Sequence, residues 1–148
     1  MAGRDDITLR EGSTPYSLSE IRAIGADAAA ILRSAGIRTT IGLLRSTKTP
    51  AQRLKIANKI GVDGKRVRDW ATCADRLRIK GVGWEYAELL RLVGVQTTNE
   101  LRYRNPARLA KKMADANTKR KLVRVLPSEH TVAKWIDDAR KLPPGIRY

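Results

Sequence analysis

Phenylalanine is absent from the chain, and cysteine and histidine occur once each, as Cys73 and His130. One cysteine excludes an internal disulfide. A lone Cys and a lone His cannot supply a zinc-type ligand cluster, so no metal site is expected. No stretch approaches the length of a membrane span. The opening residues Met1 to Asp6 lead into no apolar run, so a secretory leader is not expected and a cytoplasmic location is. Aromatics make up only 5% of the chain. Ala, Leu, Ile and Val must therefore fill the core around Trp70, Trp84 and Trp135, a mix that favours helices over a sheet.

The means of catalysis are also sparse. His130 lies near a predicted helix start and reads as a surface residue or cap. Cys73 reads as a small, semi-buried helix residue. Asp137 and Asp138 are adjacent, so they point to different helix faces and form no paired acid and base. No Gly-rich loop followed by Lys and Ser or Thr is present. The expectation is a protein that is not an enzyme.

Acidic charge is short as well: 15 Asp and Glu stand against 30 Lys and Arg, for a net charge of +15. Such a field attracts polyanions without conferring sequence specificity. The plainer reading is a solvated basic surface. A membrane surface is disfavoured, because no helix joins a strongly basic face to a large exposed aromatic face.

Residues 1–16 are polar and read as an arm, with Gly12 to Pro15 marking a loop. A short helix is expected from Ser17 or Ser19 to Ala23. A second runs from Asp27 to Ala35, with Ala28, Ile31, Leu32 and Ala35 on one stripe and Gly36 as its cap. Thr49-Pro50 opens a third, burying Leu54, Ala57 and Ile60 and ending at Gly61. Asp63 caps the next, where Val67, Trp70, Ala71, Ala74 and Leu77 follow helical spacing. The helix breaks at Gly81-Val82-Gly83 and resumes at Trp84, closing at Gly94. Thr97 and Glu100 form a capping box ahead of a short helix. Asn105-Pro106 starts a helix to about Asn117, and Thr118 caps a short basic one ending near Leu126. Val132, Trp135, Ile136 and Ala139 define the last. Pro143-Pro144-Gly145 ends the fold. No convincing strand is found.

The chain contains itself twice. Ile21-x-x-Ile24-Gly25 returns as Ile79-x-x-Val82-Gly83, and Ala35-Gly36-Ile37-x-Thr39-Thr40 as Val93-Gly94-Val95-x-Thr97-Thr98, both at an offset of 58. Thr49-Pro50-Ala51 resembles Asn105-Pro106-Ala107 at an offset of 56, and Val67-x-x-Trp70 resembles Val132-x-x-Trp135 at 65. The second copy therefore holds nine extra residues, expected around Thr118 to Leu126. The expected architecture is all-α, two pseudo-twofold-related repeats packed as one compact helical domain. Residues 17–76 would form the first repeat, 77–142 the second, and 143–148 a C-terminal tail.

Leu77, Ile79, Gly81, Val82, Gly83, Ala87 and Leu90 spell a pattern of apolar residues, two glycines and a small residue. It resembles the helix-hairpin-helix motif of DNA repair and replication proteins. The glycines permit a tight turn with close backbone approach, Val82 plugs the core, and the following helix start favours an anion. In that family, such hairpin amides hold a DNA phosphate without reading bases. The first copy keeps the plug Ile24 and Gly25 but has Ala23 in place of the first glycine. From about Tyr16 to Leu142 the chain further resembles a bacterial family of unknown function with a similar repeat, hairpin and Trp135-Ile136 ending. That resemblance implies tandem helix-hairpin-helix architecture and brings no function. A monovalent cation at the hairpin is implied by the motif alone. One departure stands out: Glu85, and Asp27 in the first copy, follow the second glycine and compete with a phosphate for the same amides.

Two basic stretches remain. One holds Arg102, Arg104, Arg108, Lys111, Lys112, Lys119, Arg120, Lys121 and Arg124 against Asp115; the other holds Arg45, Lys48, Arg53, Lys55, Lys59, Lys65, Arg66 and Arg68 against Asp63. Arg78 and Lys80 lead into the second hairpin. A solvated helix face normally mixes signs. Tyr103, between two arginines, could stack on a base but reads more readily as half-buried core. No motif for base reading is present. The first reading is a sequence-independent DNA-binding module, its partner duplex DNA without sequence preference. Gly81, Val82, Gly83, Ile24 and Gly25 would supply phosphate-binding hairpins, and the basic stretches most of the affinity. The alternative is a protein-interaction or scaffold module with an acidic partner and purely structural hairpins.

Overall fold

Short polar side chains begin most of the helices by accepting a hydrogen bond from an otherwise unpaired first-turn amide. A computed structural model of the chain describes Ser17, Leu18, Arg22, Ile24 and residues 25–148. The expected arm and most of the expected helix up to Ala23 lie outside them. The described residues form eight helices: α1 (Ala26–Ser34), α2 (Thr40–Ser46), α3 (Pro50–Ile60), α4 (Gly64–Arg76), α5 (Trp84–Leu92), α6 (Thr98–Leu101), α7 (Pro106–Arg120) and α8 (Glu129–Lys141). Their only β feature is an isolated bridge between Ser17 and Thr39. No helix among them is long and apolar enough to cross a membrane.

Thr39, Thr49, Asp63, Thr97, Asn105 and Ser128 cap α2, α3, α4, α6, α7 and α8 through their side chains. At Thr49 the cap is reciprocal, because Gln52 accepts the Thr49 amide. α1 and α5 differ: each follows a glycine, Gly25 or Gly83, with no side-chain cap. Each has nine residues and is followed by a glycine of positive φ, Gly36 at 90° and Gly94 at 92°. α4 and α8 have 13 residues each. α3 has 11 and α7 has 15, and the connection after α7 is longer than that after α3 by five residues. The nine extra residues thus divide between a longer helix and a longer connection.

Several expectations are corrected. α2 is a full helix where none is expected; Gly42 and the β-branched Thr40 and Ile41 depress its intrinsic propensity, but Thr39 caps it and Ile41, Leu43 and Leu44 are buried. Thr118 does not start a helix. It lies within α7, its hydroxyl donating back to the Ala114 carbonyl, and residues 121–128 are not helical. On α3, Leu54 is 59% exposed, and Arg53 is buried in its place. On α1, Ile31 is 43% exposed while Ala28, Ala29 and Leu32 face inward.

α3 and α2 pack on α4, and α7 and α6 pack on α8; α4 joins the two groups through α5, which also lies along α7. A single hydrophobic core runs through both, from Leu32, Leu43 and Trp70 to Leu90, Leu109 and Trp135. The last residues belong to the fold rather than following it. The Arg147 amide donates to the Lys48 carbonyl, and Arg53 donates to the Arg147 carbonyl at 2.7 Å. Gly145 and Ile146 are buried, and a Cβ on Gly145 would fall 2.5 Å from an Asp75 oxygen.

Candidate functional site

Residues 75 to 83 carry the chain from α4 into α5 through successive turns, with the amides of Arg78, Ile79 and Val82 donating to the carbonyls of Asp75, Arg76 and Ile79. Ile79 and Val82 are buried, which anchors the loop and holds Gly81 outward. Gly81 has φ of 88°, a conformation costly for any residue with a Cβ. Gly83 is extended, so only the first glycine of the pair meets a left-handed requirement. In the first copy the positive φ falls instead on Gly25, at 81°, behind the buried Ile24.

The turn sits against α8: a Cβ on Gly81 would meet the Trp135 indole nitrogen at 3.5 Å, and Trp135 packs on Tyr86 with ring centroids 5.3 Å apart. The Val82 amide is occupied by its turn bond, so it is not one of the groups open to a ligand. The amides of Gly81, Gly83, Trp84 and Glu85 find no acceptor among the described residues. These four residues line a cavity of about 330 Å³ together with Tyr86, Arg124 and Val125. Tyr86 closes it by donating its hydroxyl to the Val125 carbonyl at 2.7 Å. Lys80 is exposed at the turn, and the Arg22 guanidinium stacks on the Trp84 ring at 5.3 Å. Arg22 was not singled out from the sequence. Its proximity to Trp84 depends on a long-range contact that no local pattern announces.

α7 continues the basic surface. Leu109 and Met113 bury one stripe of it. Arg108, Lys111, Lys112 and Lys119 are exposed and fall within about 100° of one another around the helix axis. Asp115 is the carboxylate among them. Arg120, the last residue of α7, is exposed, as are Lys121 and Arg124 beyond it, so the helix leads into the loop that borders the cavity beside Gly81. Lys121 ends α7 in a left-handed conformation, φ 51°, where α3 uses Gly61. At the other end of α7, Tyr103, Arg104, Arg108 and Lys112 surround a cleft of about 260 Å³. Arg104 is steadied by donating to the Gly94 carbonyl at 3.2 Å. Tyr103 is 77% exposed and not half-buried core. Arg102 lies over its ring at 5.5 Å.

Arg78 is a correction to the expected basic surface. It is buried, donating to Asp75 at 2.8 Å and to the Pro143 carbonyl at 2.8 Å. The other Asp75 oxygen accepts the Thr98 amide at 2.7 Å. Arg76 is buried too, its Nε donating to the Ala87 carbonyl and its Nη1 to the Gln96 carbonyl. Burial lowers the pKa of Arg76. These two arginines tie α4 to α5, to the start of α6 and to the tail. The sequence signal that distinguishes them is their position beside the apolar stripe ending at Leu77.

The first basic stretch is less unified. Lys65 borders a separate depression with Arg53, Leu54 and Arg68, and Arg66 covers Trp70 at 5.3 Å. A further pocket of about 320 Å³ holds Arg66, Arg76 and Arg91 together with Asp69 and Glu88, so its charges are largely offset. Glu88 is already bonded to Arg91. Cys73, at the same pocket, is buried, and burial pushes its thiol pKa up, against the nearby Arg76. A thiol held protonated in this way is a poor nucleophile.

The family described as Domain of unknown function (DUF4332) matches residues 22–142. The chain belongs to this family. The match spans α1 to α8, including the Gly81–Gly83 segment and the basic flank of α7. No curated protein and no solved structure matches the chain significantly.

Proposed function

We propose that the chain is a nonenzymatic, sequence-independent DNA-binding module built from two helix-hairpin-helix repeats related by a pseudo-twofold. The equal lengths of α1 and α5 and of α4 and α8, and the matching glycines around α1 and α5, support the repeat. Its phosphate grip combines the open amides of Gly81, Gly83 and Trp84 with Lys80, Arg22 and Arg124. The observation that carries the reading is the continuity of this grip with the exposed flank of α7, joined through the loop that Tyr86 fastens at Val125. At 1.5 Å per residue, α7 is about 22 Å long, or about six phosphates of one strand at the duplex rise. The sequence carries no base-reading motif, so the affinity in this reading comes from phosphates.

A salt titration of duplex binding tests this. With six to ten phosphates neutralised, affinity falls by about 10³ to 10⁵ between 50 and 200 mM salt. An affinity insensitive to salt, or absent at low salt, rejects the reading. One observation favours the scaffold alternative: Glu85 borders the hairpin cavity, and Val125 beside it is exposed. Partners that survive nuclease treatment of a lysate, with no duplex binding, would establish that alternative.

A further inference from the structure

We propose that the Tyr103 cleft takes one unpaired nucleotide, its base stacked on the Tyr103 ring and its phosphate between Arg108 and Lys112. The inference rests on the DNA-binding reading and narrows its substrate to DNA with a single-stranded end or gap.

An aromatic ring this exposed contributes little to the core. Arg102 lies over it at 5.5 Å and leaves the opposite face for a planar partner. The cations beside it are organised by bonds already made. Arg104 is held on the Gly94 carbonyl. Asn105 caps α7 through the Arg108 amide, which fixes the backbone from which Arg108 and Lys112 project. No carboxylate lines this cleft, whereas Glu85 borders the hairpin cavity and Asp69 and Glu88 occupy the Arg76 pocket. Bases inside a duplex are stacked and paired, so the ring can reach only a base that is already free. The same flank of α7 that leaves the cleft runs toward the hairpin cavity, so duplex held on the flank would present its unpaired end at Tyr103.

Three probes test this: a blunt duplex, the same duplex with a thymidine overhang, and the same duplex with an abasic overhang. The abasic strand keeps the phosphates and removes the stacking surface. The expected result is a gain of roughly 5- to 100-fold for the thymidine overhang over the abasic one, the range of one stacked base. Tyr103→Ala brings that ratio to one, and Tyr103→Phe preserves it. Equal binding of thymidine and abasic overhangs, or a ratio unchanged in Tyr103→Ala, overturns the inference while blunt-duplex binding keeps the wider reading intact. Failure to bind all three probes at low salt overturns both.

Discussion

The α1–α4 and α5–α8 groups use similar parts to different ends. At the fourth residue of the helix after Thr49 or Asn105, the first group buries Arg53 and the second buries Leu109. Arg53 meets carbonyls of Thr47, Lys48 and Arg147, so its charge is taken up by the loop before α3 and by the C-terminal tail. Leu109 meets apolar core. At equivalent places on α1 and α5, Ile31 is exposed and Leu89 is fully buried; α5 packs on both α4 and α7. The second group has Gly81 in the turn before α5 and the long basic helix α7; the first has Leu54 exposed on α3. The C-terminal tail is bonded to the first group, through Arg53 and Lys48, and the longer basic helix, α7, belongs to the second.

The largest test of this contrast is a pair of truncations at matched positions. Leu89→Ala is expected to cost about 2–5 kcal/mol, the range of a core leucine. Ile31→Ala is expected to cost about 1 kcal/mol or less, since much of its surface already meets water. Urea denaturation of the two variants checks this, and equal costs would erase the distinction.

Arg53→Leu, which copies the second group into the first, is expected to cost about 1–3 kcal/mol by leaving partly buried carbonyls without donors. The same denaturation measurement, together with faster amide exchange at Arg147, reports whether the tail has been released. A variant as stable as the parent would show that Arg53 is interchangeable with Leu109.

The smallest effect is a gain. Lys121→Gly replaces a left-handed lysine with the residue that α3 uses at Gly61. It is expected to raise stability by about 1 kcal/mol, the strain of that conformation less the added freedom of the unfolded chain. A rise in thermal midpoint with the α7 helix content unchanged checks it.

What was legible in the sequence was local. Thr49-Pro50, Asn105-Pro106, Gly36 and Gly94 announce helix ends because caps and left-handed turns act within a few residues of themselves. The stripe from Val67 to Leu77 announces a buried helix for the same reason. Arg78 reads as surface because an acceptor that fixes it inside, the Pro143 carbonyl, lies 65 residues further along the chain. Tyr103 read as half-buried because residue type predicts burial only on average, and no element covers it here. Of the expected basic residues, Arg108, Lys111, Lys112 and Lys119 lie on one flank of α7, while Lys65 and Arg66 border other features.

Matched charge reversals test most directly whether phosphate binding, as proposed, is concentrated in the second group. One variant carries Lys111, Lys112, Lys119 and Lys121 as Glu; the other carries Lys55, Lys59, Lys65 and Arg66 as Glu, eight exposed positions in all with the same change in net charge. Duplex affinity is measured for both across a range of salt. The expected result is that the α7 variant loses most of the affinity and flattens the salt dependence, while the α3–α4 variant retains most of both. Equal losses in the two variants, or a larger loss in the second, would contradict it.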